Sequence, residues 1–214
     1  MPVAIDEEKE VTYYITPVGR LSYLNVWKPR KQQAGNEDKI VYDCSLIMDN
    51  PKEMTVDDQQ RYKQLKKLIA DKKLEKWPKL TGKVQCKLRT VKGYEDDLFF
   101  SKPLDGDKNP EYLGKIVLGA VSYGQKPQVL RADKQEMMDP SELYSGCYGR
   151  LWVTAFAYDN AGNKGVSFSL QGVMKVRDGK PLGGTGGSIT KAFESVEVET
   201  DGFETTDDED LEEF

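Results

Sequence analysis

Histidine is absent from all 214 residues. That one absence removes Ser-His-Asp and Cys-His nucleophile pairs, histidine general bases and most zinc sites. Cysteine is scarce as well: Cys44, Cys86 and Cys147 form an odd set with no CxxC spacing, each in an apolar or strand-like context, and read as reduced packing residues. No apolar run approaches the roughly eighteen residues of a membrane span, and the opening MPVAIDEEKE lacks the basic and apolar regions of a signal peptide. The chain is therefore expected to be soluble and cytoplasmic, without a membrane partner. No pair of carboxylates is marked out by its neighbours, so no catalytic residue, metal or cofactor is assigned.

Positive charge is missing from the C-terminal segment. Residues 192–214 hold eleven acidic side chains and no basic one, which leaves 31 Lys and Arg against 25 acids in 1–191, a body charge of +6 inside a net charge of −5. A basic body with an acidic tail is the asymmetry expected where an interaction tail accompanies a domain that binds a polyanion. The tail is too charged to fold alone. It ends in a bare aromatic, Phe214, behind Asp207, Asp208, Glu209, Asp210, Glu212 and Glu213.

What is present in strength is period-two alternation. In YSGCYGRLWVTAFAYDNAGNKGVSFSLQGVMKVR, from Tyr144 to Arg177, even positions carry Tyr148, Arg150, Trp152, Thr154, Phe156 and Tyr158, and odd positions carry Cys147, Gly149, Leu151, Val153, Ala155 and Ala157. Two strands joined by a polar turn are predicted. One face is small and aliphatic, as an interior is. The other, with four rings and a guanidinium, suits either a surface that stacks bases and holds phosphates or a second buried layer.

Val11 to Trp27, interrupted by Pro17 and Gly19, is expected as a long bent strand or two short ones. KPRKQQAGNEDK is expected as a polar loop, with Lys28, Arg30 and Lys31 placing positive charge at one end of the sheet; Ile40–Met48 is the next strand. Thr55 with Asp58 forms a capping box, and Tyr62, Leu65, Leu68 and Ile69 make one apolar stripe of a helix. From Arg61 to Arg89 there are eleven Lys and Arg against Asp71 and Glu75, a face that is either solvated, or set to follow a phosphate backbone, or to dock the acidic tail. Residues 90–110 lose periodicity, with Phe99 and Phe100 as a loop anchor. Gly114–Tyr123 and Gln128–Arg131 complete the strands, and a turn with a helical start precedes the hairpin. GGTGGS lacks the GK[ST] ending of a phosphate cradle, and Ser188 with Lys191 matches S-x-x-K by spacing alone.

Five or six strands with one helix inserted after the second fit an all-β fold, a five-stranded Greek-key barrel of the oligonucleotide-binding (OB) type with elaborated loops. The expected organisation is a flexible segment 1–10, a barrel domain 11–182, a Gly-rich linker 183–191 and a disordered acidic tail 192–214.

The string YSGCYGRLWVTAFAYDNAGNKGVSFSLQGVMKVRDGKPLGG, with RLSYLNVWKPR near the start and PLDGDKNPEYLGKIVLGAVS in the middle, resembles the bacteriophage single-stranded-DNA-binding proteins first grouped as a domain of unknown function. The resemblance runs from about Val18 to Gly184, and the acidic tail ending in Phe is similar to that of podovirus-type replication single-stranded-DNA-binding proteins. It implies an OB barrel, no catalysis, residence in the infected bacterial cell, and a tail that recruits phage or host replication proteins such as a polymerase, primase-helicase or recombinase while competing with DNA. A homodimer is compatible with it.

The candidate site follows. Tyr148, Trp152, Tyr158, Trp27 and Tyr123 are expected to stack bases, and Arg150, Lys28, Arg30, Lys126, Arg131 and Lys164 to hold phosphates. Phe156 is left aside as a ring covered by the helix or by a partner subunit. A protein-interaction module that mimics DNA explains the tail without explaining the basic, aromatic body, and a metal-dependent nuclease lacks a marked carboxylate cluster.

Overall fold

The computed structural model describes residues 13–34 and 37–182. Ten strands form one sheet: β1 (Tyr13–Ile15), β2 (Gly19–Ala34), β3 (Glu37–Met48), β4 (Val84–Cys86), β5 (Leu88–Arg89), β6 (Phe99–Phe100), β7 (Ile116–Tyr123), β8 (Gln128–Leu130), β9 (Tyr148–Asn160) and β10 (Asn163–Arg177). Helix α1 (Val56–Lys76) lies between β3 and β4. The strand count exceeds expectation because β1, β4, β5, β6 and β8, none longer than three residues, decorate the edges of five long strands.

Those five close on themselves. β2 pairs β3, β3 pairs β7, β7 runs parallel to β10, β10 pairs β9, and β9 returns to β2. This is the five-stranded Greek-key ring of the OB fold. Closure occurs at the Gly19–Gly149 pair, where a Cβ on either residue would stand 2.7 Å from a backbone oxygen, of Ile47 and of Met174 respectively. Only residues without side chains allow that crossing.

The small face of β9 points inward as expected: Leu151, Val153 and Ala155 meet Leu21, Leu46, Leu118 and Phe168 in one core. The three cysteines are free and buried, and burial pushes their thiols up, Cys86 to about 12. The β9–β10 turn has positive φ at Ala161 and Gly162, the two-residue type that matches strand twist. Helix α1 starts as its sequence dictates, the Thr55 hydroxyl accepting from the Asp58 N–H at 3.2 Å, and it buries Tyr62, Leu65, Leu68 and Ile69.

Two expectations are corrected. The segment from Lys28 is not a loop: it continues β2 to Ala34, pairing Arg30, Lys31 and Gln32 with Val41, Ile40 and Lys39. Polar side chains do not prevent a strand that is solvated on both faces. The irregularity lies earlier, where β2 takes five residue steps against two of β3 between the Asn25–Asp43 and Arg30–Val41 pairs. Residues 90–110 are also more ordered than their lack of period suggests, since β6 pairs β4 and buried Phe99 stacks on Tyr94 at 5.2 Å.

The chain divides into two units, 1–182 and 183–214. The expectations for residues 1–10, for the linker 183–191 and for the tail with Asp207, Asp208, Glu209, Asp210, Glu212, Glu213 and Phe214 lie outside the described residues. No described helix is long and apolar enough to cross a membrane.

Candidate nucleic-acid interface

A groove of about 590 Å3 crosses the outer face of the barrel, floored by β3 and β7 and walled by the far ends of β2 and β9. In OB barrels the second and third barrel strands and the adjoining hairpins are where oligonucleotides bind. Here those strands are β3 and β7. Four rings reach the groove: Tyr23, Tyr123, Phe156 and Tyr158. The ring of Tyr158 lies directly over Gly165, where a Cβ would come within 2.3 Å of it, and its hydroxyl donates to Gln85 Oε1 at 3.3 Å. Tyr23, in a smaller register shift of β2 between the Ser22–Ser45 and Asn25–Asp43 pairs, takes a left-handed φ of 49°, and its hydroxyl donates to Asn109 Oδ1 at 3.1 Å.

Three cations line the same groove: Arg30, Lys87 and Arg89. Arg30 donates to Asp43 at 2.6 Å, and Asn25 donates to the other Asp43 oxygen at 2.6 Å, so the one carboxylate of the groove is already satisfied. Lys87 and Arg89 have no carboxylate partner among the described residues, and Arg89 Nε is buried without a hydrogen-bond acceptor. Desolvation first, then the like charges of Arg89 and Lys102, hold the Lys87 ammonium below its ordinary pKa. Two neighbouring cations with no carboxylate partner among the described residues have the chemistry to hold an anion.

Of the residues expected to stack, Tyr123 and Tyr158 line the groove and three do not. Trp152 packs beside Tyr13 at 4.9 Å between centroids, within an apolar patch shared with Ile15 and Met174. Tyr148 is covered by Arg177, whose guanidinium carbon sits 3.4 Å from the ring centroid. Trp27 falls in the β2 irregularity with the Lys126 ammonium 4.7 Å above its ring. Phe156, left aside from the sequence, is exposed in the groove and covered by no helix.

Two of the expected phosphate ligands are held by carboxylates of the protein itself. Arg150 is 17% exposed and bonds inward, to Asp58 at 2.7 Å, to the Thr16 carbonyl at 2.8 Å and to Asp57 at 3.3 Å, so its charge joins β9 to the start of α1. Arg131 is held in a two-pronged pair by Glu142, its Nε donating at 2.8 Å. Arg30 lies in the groove, Lys28 is exposed in the β2 irregularity, and Lys164 pairs with Asp159 in the turn ladder. The basic run 61–89 divides too. On α1 much of the charge is paired, Arg61 with Asp57, Lys67 with Asp71 and Lys72 with Glu75, whereas Lys87 and Arg89 stand on β4–β5 in the groove. Sequence reasoning missed this pair although the signal was there: Val84, Cys86 and Leu88 alternate with Gln85, Lys87 and Arg89, a strand with its cations outward.

No group of three or more potential metal ligands occurs among the described residues. Among solved structures, the chain superposes on the single-stranded DNA-binding protein from bacteriophage Enc34 in complex with ssDNA, with TM-score 0.59 and 23% identity over 80% of this chain and 89% of that one. It also superposes on gp2.5, a single-stranded DNA binding protein encoded by bacteriophage T7, with TM-score 0.55 and 16% identity over 91% and 98%. Both likenesses speak for the barrel. Protein p50 of Acyrthosiphon pisum secondary endosymbiont phage 1 is 36% identical over 98 residues, which span 46% of this chain and half the length of that relative. The sequence model of the family described as Enterobacter phage Enc34, ssDNA-binding protein, matches residues 12–204, and the chain belongs to that family.

Proposed function

We propose that this protein binds single-stranded DNA without sequence preference and without catalysis, protecting it during phage replication and recombination in the cytoplasm of the infected cell. The observation that carries this reading is the groove itself, where four rings and two unpaired cations share one face of the barrel. Bases stack on Tyr123, Phe156 and Tyr158, each contributing about 1–3 kcal/mol whatever its identity. Phosphates are held by Lys87, Arg89 and Arg30, with Lys28, Lys126 and Lys164 extending the positive path, so that affinity falls with salt. Tyr23 flanks the same path.

The acidic segment 192–214, at high effective concentration beside a basic body, competes with DNA for the groove and, through Phe214 and its acidic neighbours, recruits replication proteins. Anisotropy titration with labelled oligo-dT and with a duplex of equal length tests the first part: clear preference for the single strand is expected, and equal affinity would sink the stacking reading. Deleting 192–214 is expected to tighten oligo-dT binding at low salt and to weaken partner capture; unchanged affinity counts against competition.

A further inference from the structure

Glycine inside a strand weakens it, and where one persists it marks a bulge, a bend or a place where a backbone or a ligand comes close. Five glycines lie within the described strands: Gly19, Gly119, Gly149, Gly165 and Gly172. Four are explained by their neighbours. A Cβ would stand 2.7 Å from the Ile47 oxygen at Gly19, 2.7 Å from the Met174 oxygen at Gly149 and 3.1 Å from the Gln128 oxygen at Gly172, and at Gly165 it would run into the Tyr158 ring. Gly119 has no such reason. Apart from its chain neighbours, no heavy atom lies within 4 Å of its Cβ position, and its φ is outside the left-handed region. The β3–β7 ladder also runs through it without a register shift, from Val41–Tyr123 to Met48–Ile116.

The open side of Gly119 is the floor of the groove. With Val121 and Tyr123 it belongs to the outward face of β7, while Leu118 and Ala120 are buried. Its partner on β3 is Ser45, and on the other side its N–H donates to the Lys87 carbonyl at 3.2 Å. A bare Cα beside a small side chain leaves a flat, shallow spot, with Lys87 and Arg89 along one edge. A phosphate needs N–H donors, and the Gly119 N–H is already taken. A planar ring needs a flat surface from which no side chain protrudes, and a glycine in a strand provides one. One nucleotide joins the two, its base over Gly119 and its phosphate at the cations.

We propose that Gly119 is a base seat in the groove, bare so that one nucleobase of the bound strand lies flat on the β7 backbone while its phosphate meets Lys87 and Arg89. This rests on the single-strand-binding role proposed above and deepens it, adding to the stacking rings a contact that no side chain makes.

Gly119→Ala and Gly119→Val test the seat, because a Cβ at this position meets nothing in the free protein. Both should fold with Tm held or raised, since a strand gains from a side chain at an unstrained position. Oligo-dT binding, followed by anisotropy, should weaken for Ala and further for Val, the latter by about 5- to 150-fold, the loss of one stacked base. An abasic deoxyribose-phosphate oligomer of equal length should bind parent and Gly119→Val alike. Gly82→Ala, at an open glycine outside the groove, should leave oligo-dT affinity as it is. A fall in Tm for Gly119→Ala would make the glycine structural and overturn the proposal. Equal losses on oligo-dT and the abasic oligomer would put sugar or phosphate at the spot, which also overturns it. Tyr158→Ala separates the seat from the function. Should Tyr158→Ala lose affinity while Gly119→Val does not, only the seat fails; should neither lose any, the groove is not where DNA binds and the proposed function fails with it.

Discussion

Strand β9 carries one alternation along its whole length, yet its two ends face different surroundings. From Tyr148 to Trp152 the outward side chains have partners within the protein, Tyr148 under Arg177, Arg150 against Asp58 and Trp152 beside Tyr13, with Trp152 left about as exposed as Phe156. From Phe156 to Asn160 the same outward side opens onto the groove. A period of two states which side of a strand a residue takes. It is silent about what the barrel's curl and the neighbouring elements lay across that side. At the first end Arg177 of β10, the start of α1 and β1 supply partners; at the other, β3 and β7 leave a trough.

The sharpest way to break this contrast is at Arg150. Its partner Asp58 is nearly inaccessible and also accepts from the Val18 N–H at 3.1 Å, so removing the guanidinium leaves a buried carboxylate partly satisfied. Arg150→Ala is expected to cost about 3 kcal/mol, the lower end for a broken buried pair. For a chain of this length that lowers Tm by roughly 6–12 °C. Oligo-dT affinity of the folded protein should not change. A normal Tm with a large loss of affinity would return Arg150 to the phosphate ligands.

The rings come next. Tyr158→Ala, Phe156→Ala and Tyr123→Ala should each weaken oligo-dT binding by about 1–3 kcal/mol, roughly 5- to 150-fold, in a fluorescence titration. Trp152→Ala and Tyr148→Ala should leave it unchanged, because neither ring lines the groove. The reverse pattern would move the DNA to the other end of β9. Gly165→Ala is a milder version of the first set. Its new Cβ pushes against the Tyr158 ring rather than removing it, so the affinity loss should fall short of that of Tyr158→Ala.

How far the site was legible follows from the same physics. The β9–β10 hairpin, its inward face and the capped start of α1 were readable because each depends on near neighbours in sequence: alternation, a turn, Thr55 with Asp58. The five-strand ring was readable in kind and matches relatives in shape. The division of the aromatic face was not, because Asp58 reaches Arg150 across 92 positions and Tyr13 reaches Trp152 from the other end of the chain. Lys87 and Arg89 were hidden by company. Counted with the helix lysines they merged into one basic run, and only their alternation with Val84, Cys86 and Leu88 separates them. The β2–β3 arm was missed because a solvated two-stranded ribbon needs no apolar face, so its residues look like a loop.

Lys87 offers the smallest and most specific readout. Replacing Lys87 or Arg89 by Ala should reduce the slope of log affinity against log salt by about 0.7 per lost phosphate contact, whereas Lys67→Ala on the helix, already paired with Asp71 at 2.7 Å, should leave the slope as it is. The Lys87 ammonium is held below its ordinary pKa by desolvation, Arg89 and Lys102, and a phosphate beside it pushes the value back up. The bound state therefore holds more protons than the free one in the alkaline range. Affinity is full at neutral pH and falls as pH rises through the depressed value. In Lys87→Ala that part of the alkaline decline should disappear. Titrations of parent and variant at fixed salt from neutral to alkaline pH decide it, and identical curves would mean that no phosphate sits at Lys87.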